Sequence, residues 1–206
     1  MNYSDVVSLA LSYSDREDDE VVSRMDNFLN ITEARVNRKL RVFNMSIRAT
    51  LAMADDQVYY GLPPDFGGLR DVEVVNPGGA HTTLTFLNPE QLNGVRNRGA
   101  SGVSKVYYNL NARQIQIFPP QPTGYEMEIV YYQKLVPLGT ADPINWLSDT
   151  NPDVYIFGLC VEISSFVKDK ESALLCDGRF KEALEEIQTE DSTDRWSGPT
   201  LETRNG

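Results

Sequence analysis

The stretch Asn145-Trp146-Leu147-Ser148-Asp149-Thr150-Asn151-Pro152-Asp153-Val154-Tyr155-Ile156-Phe157-Gly158 decides how this chain is read. It follows the strand-patterned residues 46–137 and opens the most apolar helix of the protein. Asn151-Pro152-Asp153 supplies a helix start, because proline at the first helical position loses no hydrogen bond. Residues 154–167, VYIFGLCVEISSFV, are apolar nearly all round. A helix of that kind is packed on several sides. Glu162 inside it reads as a paired or edge-facing carboxylate, since isolated buried charge is costly. A catalytic role for it is the minority reading.

Working outward, a final helix is expected from about Lys170 to Thr189, with Leu174, Leu175, Phe180, Leu184 and Ile187 as its apolar stripe. Toward the N-terminus, residues 3–12 carry a short apolar pattern. The acids of Ser14 to Glu20 precede a helix from about Val21 to Leu40, where negative charge suits the positive end of the helix dipole. Its expected stripe is Val22, Met25, Phe28/Leu29, Thr32, Val36 and Leu40. Arg35, Arg38, Lys39 and Arg41 fall in its last turns. They read either as a solvated, dipole-matched helix end or as a contact to an acidic neighbouring subunit or DNA.

Between the helical ends the period changes to two. Ile47, Ala49, Leu51 and Met53 alternate with small or polar residues, and Gln57–Leu62 after the Asp55-Asp56 turn suggests a hairpin. Leu69–Val75, His81–Phe86, Lys105–Leu110, Arg113–Phe118 and Tyr125–Gln133 follow as strands. Gly67-Gly68 and Gly78-Gly79 read as turns, and Asn88-Pro89-Glu90-Gln91-Leu92 as an N-capped short helix. The expectation is an α+β fold: a helical bundle from residues 1–45 and 138–189, an inserted antiparallel β-sandwich-like subdomain over 46–137, and an extended C-terminal tail over 190–206. The tail is polar and aperiodic, yet holds Trp196 and Leu201. It reads as a frayed end or as a segment that docks on a partner through its aromatic anchor.

Composition narrows the function. The chain has 206 residues and a net charge of −11. Lys and Arg number six against eight Asp and Glu in residues 1–45, seven against ten in 46–150, and six against twelve in 151–206. So acidic a chain is a poor grip for nucleic acid, whose affinity comes mostly from neutralised phosphates. The same charge suits a passage through which DNA slides without sticking. No apolar run is long enough for a membrane span, and the first residues lack the basic and apolar regions of a secretory signal. Cys160 and Cys176 match no disulfide framework or zinc spacing and read as buried reduced thiols. The single histidine, His81, forms no Ser/His/Asp set, and no phosphate loop or metal spacing is present. Neither catalysis nor a cofactor is expected. The pairs Tyr59-Tyr60, Tyr107-Tyr108 and Tyr131-Tyr132 suggest either a sugar-binding face or one ring in the core and one on the surface.

The order of several motifs adds a resemblance. Thr32-Glu33-Ala34-Arg35-Val36-Asn37-Arg38-Lys39-Leu40-Arg41 precedes Leu62-Pro63-Pro64-Asp65-Phe66-Gly67-Gly68-Leu69-Arg70. Asn88–Leu92, the hairpin Tyr108–Pro122, Glu128–Lys134 and the Asn145-Trp146-Leu147 element follow. In this order they resemble the head-to-tail adaptor proteins of tailed, mainly short-tailed, bacteriophages, over roughly residues 20–190; Glu33 and Ala34 stand in swapped order. The resemblance implies a structural virion protein made in the host bacterial cytoplasm and placed at the head–tail junction. It implies a homo-oligomeric ring, usually a dodecamer, beneath the portal, with transient passage of double-stranded DNA. A C-terminal segment in portal grooves would be anchored by Arg195, Trp196 and Leu201, with the β insertion facing the tail nozzle or fibres. Other classes are a fibre-associated or carbohydrate-binding β module, against which the helices of 150–189 argue, and a tail hydrolase, against which the missing nucleophile or metal set argues.

Overall fold

The structure is a computed structural model that describes residues 1–99 and 105–196, Trp196 by its backbone. In chain order the elements are α1 (Tyr3–Ser14), α2 (Asp19–Val22), α3 (Met25–Lys39), a 3-10 turn (Phe43–Met45), β1 (Ser46–Ala52), β2 (Tyr59–Gly61), β3 (Phe66–Val75), β4 (His81–Thr83), β5 (Thr85–Phe86), α4 (Pro89–Asn97), β6 (Tyr107–Asn111), β7 (Gln114–Phe118), β8 (Glu126–Gln133), α5 (Trp146–Thr150), α6 (Pro152–Phe166) and α7 (Lys170–Trp196). The fold is α+β. It divides into two compact units, Met1–Asn44 with the chain from Leu135 onward, and Met45–Lys134.

The helical unit is organised around α6. Its residues Val154, Tyr155, Leu159, Cys160 and Ile163 are buried on several sides, and α1, α3, α5 and α7 pack against it. This is the surround expected of a helix apolar all round. Gly158 makes the close approach possible. A Cβ there would stand 2.4 Å from Thr32 Cγ2 and 3.2 Å from the Phe180 ring, so only glycine lets α3 and α7 reach the α6 backbone.

Three helical expectations are corrected. The helix expected from Val21 to Leu40 breaks at Ser23–Arg24, where Ser23 Oγ donates to the Glu20 carbonyl at 3.0 Å. The break resets the phase: Val21 is 2% exposed and Val22, expected in the stripe, 45%. Leu174 and Leu175 also leave the core, Leu174 at 74% exposure, because the buried face of α7 is carried by Phe180, Ala183, Leu184 and Ile187. Finally, α7 runs on to Trp196, so Glu190–Trp196, expected as the start of an extended tail, is helical. Asp191 explains this stretch: its carboxylate accepts from Phe43 N–H at 2.6 Å and pairs with Arg195 at 2.8 Å. Residues 197–206, with Leu201, lie outside the described residues.

The second unit is a sandwich of two four-stranded sheets, ordered β1-β8-β3-β4 and β2-β7-β6-β5. Val72, Val74, Met127, Ile129 and Tyr131 from the first sheet meet Tyr60, Ile115 and Ile117 from the second in one core. The antiparallel expectation holds for the first sheet; in the second, β5 and β6 run parallel. Nor do β1 and β2 form the expected hairpin. β1 pairs with β8 and β2 with β7, so the Asp55-Asp56 turn is a corner between sheets. Thr123 holds that corner, its N–H donating to Asp55 Oδ1 and its Oγ1 accepting from Asp55 N–H. The stretch expected as one strand, His81–Phe86, likewise splits at buried Leu84 and serves both sheets.

Gly67-Gly68 proves to be bulged strand rather than a turn. The β3–β8 register shifts between Phe66 and Gly68 and again between Leu69 and Asp71. A Cβ on Gly67 would lie 2.8 Å from the Tyr132 carbonyl oxygen, so the bulge requires glycine there. Gly78-Gly79 is the expected turn, with Asn76 Oδ1 accepting from the Gly78 and Ala80 N–H groups and Gly79 at φ 81°. The short helix at Asn88 is capped as expected: Asn88 and Gln91 exchange side-chain and backbone bonds. Of the tyrosine pairs, Tyr60 and Tyr131 enter the core while Tyr59 is exposed and Tyr132 half-buried; Tyr107 and Tyr108 are both half-buried.

Candidate functional site

Four of the motifs that carry the resemblance contribute to polar networks, in the helical unit and in the sandwich. In the helical unit, Glu33 of α3 is only 5% exposed. Its Oε1 accepts from Leu138 N–H at 2.7 Å and from the Tyr155 hydroxyl at 3.1 Å. That hydroxyl in turn accepts from Asn145 Nδ2 at 2.7 Å. Asn145 also donates through Nδ2 to the Val136 carbonyl and caps α5, its Oδ1 accepting from Ser148 N–H at 2.9 Å. Ser148 Oγ answers by accepting from Asn145 N–H at 3.0 Å. Burial raises the Glu33 carboxyl above the ordinary carboxylate range, against the pull of its two donors. Burial, then the Glu33 charge, raises the Tyr155 hydroxyl as well.

A second cluster lies beside it. Arg35 donates to Glu162 Oε1 at 3.0 Å and to Asp177 Oδ1 at 2.6 Å, joining α3, α6 and α7, with its guanidinium 4.7 Å from the Phe180 ring centroid. Glu162 is therefore the paired carboxylate expected of it. Lys181 also pairs with Asp177, and these hydrogen bonds hold Asp177 below its usual range despite partial burial. In the sandwich, Asp65 performs the linking role. Its carboxylate accepts from the Tyr131 hydroxyl at 3.1 Å and from Gln133 Nε2 at 2.7 Å, and its carbonyl from Lys134 N–H at 2.8 Å. Phe66 stacks on Tyr131 with centroids 5.5 Å apart. Burial and Asp65 push the Tyr131 hydroxyl up to about 12.

Of the basic residues singled out from the sequence, Arg35 is engaged inside the helical unit. Arg38 and Lys39 are exposed at the end of α3, and Arg41 bonds back to the Asn37 and Leu40 carbonyls. Gln188 of α7 donates to the Lys39 carbonyl at 3.0 Å. Arg195 is held by Asp191, and Trp196 is the last described residue of α7. The face of α7 opposite its buried side carries exposed Glu182, Glu185, Glu186 and Glu190.

The networks through Glu33, Tyr155, Asn145, Ser148 and Asp65 escape composition and periodicity. A signal was present: Glu33 falls in phase with buried Thr32 and Val36 on a helix whose stripe is otherwise apolar. What these networks can do is hold backbone segments in place. Among the described residues no group of three or more His, Cys, Asp or Glu side chains is placed to hold a metal ion, and no helix is long and apolar enough to cross a membrane. His81 is exposed, with Nδ1 3.0 Å from Glu73. A family model described as SU10 adaptor protein matches residues 1–203. No curated protein matches the chain.

Proposed function

The chain belongs to the SU10 adaptor protein family, a structural, phage head–tail role, and from that membership we propose that it forms the ring joining a portal to a tail. The ring, a dodecamer of the kind found in short-tailed phages, encloses the channel through which the genome is retained and then ejected. The match over residues 1–203 carries this reading. Support comes from the polar networks: the residues of the motif order are spent on holding the fold, as in a building block. The carboxylates on the outer face of α7 suit a lumen that DNA passes without adhering, since unlike charge is what grips phosphates.

The α7 terminus, through Arg195, Trp196 and, further on, Leu201, docks on the portal. Arg38, Lys39 and Arg41 meet an acidic surface of the neighbouring subunit or the DNA, with Arg35 positioning the helix that bears Arg38 and Lys39 and that Arg41 follows. The sandwich faces the tail nozzle or fibres. Mixing the purified protein with its phage's portal ring and imaging by cryo-electron microscopy tests the assignment. A symmetric ring stacked on the portal, with density for the C-terminal segment in portal grooves, is expected. A monomer that ignores the portal would overturn it. Glycan binding by the free protein, through exposed aromatics such as Tyr59 and Phe86, would favour a fibre-associated or carbohydrate-binding module instead.

A further inference from the structure

The chain holds two cysteines, Cys160 and Cys176, both free. They face each other across the hairpin of α6 and α7. Three residue pairs mark its register. Arg179 lies over the Phe157 ring, 5.3 Å from its centroid. Cys160 and Cys176 come next, near enough for each thiol to bear on the titration of the other. Ser164 and Ser172 line one cavity beyond them, toward the turn marked by Lys168 in the left-handed region at φ 62°. Each of these pairs is symmetric about residue 168, as an antiparallel pair of helices requires. The cysteines therefore sit between these two pairs, and the cavity runs along the hairpin past Phe157 and Arg179 as well.

Their environments differ in a way that orders a reaction. Cys160 is buried, with Sγ 3.7 Å from the Ala10 carbonyl oxygen. Cys176 is half-buried and lines the cavity, a space of about 150 Å³ bordered by Tyr13, Ser164, Ser172 and Arg179. Cys176, the more exposed thiol, is the one an oxidant meets first.

We infer that Cys160 and Cys176 are a redox-active pair that closes to an internal disulfide, fastening α6 to α7. With a low-molecular-weight disulfide such as oxidised glutathione, the Cys176 thiolate attacks one sulfur. A mixed disulfide forms and one glutathione thiolate leaves. The Cys160 thiolate then attacks Cys176 Sγ and expels a second. Two protein thiols are oxidised, one glutathione disulfide is reduced, and the two cysteine protons go to the two departing thiolates. Burial pushes the Cys160 thiol up to about 11 and raises that of Cys176, so the pair stays protonated and reacts slowly. Only the timing rests on the adaptor reading: a virion protein leaves a reducing cytoplasm for an oxidising medium, where such a bond persists.

The free protein suffices for the test. The folded chain is incubated with oxidised glutathione, its unchanged fold checked by circular dichroism, then alkylated in denaturant and weighed by mass spectrometry. The expected wild-type product is two hydrogens lighter than the reduced chain, takes no alkyl group, and yields a peptide linking Cys160 to Cys176. Cys160→Ser is expected to stop at a stable glutathione adduct on Cys176, and Cys176→Ser to stay unmodified. A wild-type product that stops at the adduct, links two copies, or keeps both thiols would overturn the pair. Portal binding plays no part in this readout, so its failure leaves the adaptor reading untouched.

Discussion

The two units hold themselves together with different emphasis. The helical unit places polar side chains between its helices: Glu33, Tyr155 and Asn145 in one chain of hydrogen bonds, Arg35 with Glu162 and Asp177 in another. The sandwich fills its centre mainly with apolar side chains, with Asp65, Tyr131 and Gln133 as a polar link, and draws its specificity from strand register, two register shifts along β3 and four crossings between sheets. Helices satisfy their backbones internally, so nothing in the backbone says how one should align with the next; buried side-chain bonds supply that alignment. Strands align through the backbone itself, and their side chains are free to be greasy. Removing one polar side chain should therefore hurt the helical unit most, and backbone crowding should be what hurts the sandwich.

The largest effect is expected from Asn145→Ala. It strips the α5 cap and leaves the Val136 carbonyl and the Tyr155 hydroxyl without their donor, at a cost of about 2–4 kcal/mol. A urea melt that moves by less than the width of a surface mutation would break the comparison. Gly158→Ala comes next, at about 1–3 kcal/mol, because the new methyl meets Thr32 and Phe180 in a packed interior. Gly67→Ala, the crowding test in the sandwich, is expected at about 1–3 kcal/mol, since the new methyl meets the Tyr132 backbone carbonyl. Thermal unfolding of both alanine variants ranks them directly.

The pH dependence sharpens the contrast further. Glu33 binds its proton more tightly in the folded chain than in the unfolded one. Its contribution is full below the ordinary carboxylate range and is lost as pH rises through its raised folded value. Asp177 is held below its usual range, so its contribution is present at neutral pH and is lost as pH falls. Urea midpoints measured across pH should show Glu33→Gln flattening the decline on the upper side, while Asp177→Asn flattens the acid side. Smallest of all, Leu174→Lys should change stability by about 0.5 kcal/mol or less, as the side chain is already in water.

Much of the fold was legible because it rests on periodicity. The all-round apolar run of 154–167 announced a surrounded helix, and the alternation of 47–53 and 69–75 announced half-buried strands. What failed was phase and pairing. Val21 and Val22 are neighbours of equal hydropathy, and only the Ser23 break decides which is buried. Leu174 and Leu175 fit a stripe by spacing, yet the hairpin's own register assigns the core to Phe180. The Asp55-Asp56 turn looked like a hairpin because local sequence marks a reversal without saying which strand receives it. At the candidate site, Arg38, Lys39 and Arg41 stand at a helix end as read, while the links of Glu33 and Asp65 come from partners about a hundred and about seventy residues away. No window of sequence contains such a contact.

The pairing of β1 with β8 has a consequence for how this protein can vary. Ser46 lies directly across from Tyr132, so the chain enters and leaves the sandwich side by side, about 5 Å apart. A segment whose two ends meet is a cassette. It can lengthen, shrink or be exchanged for another, and a short turn closing the same gap would restore a continuous helical chain. Genes that must keep one half of a joint constant while its counterpart drifts would find the cut points already made.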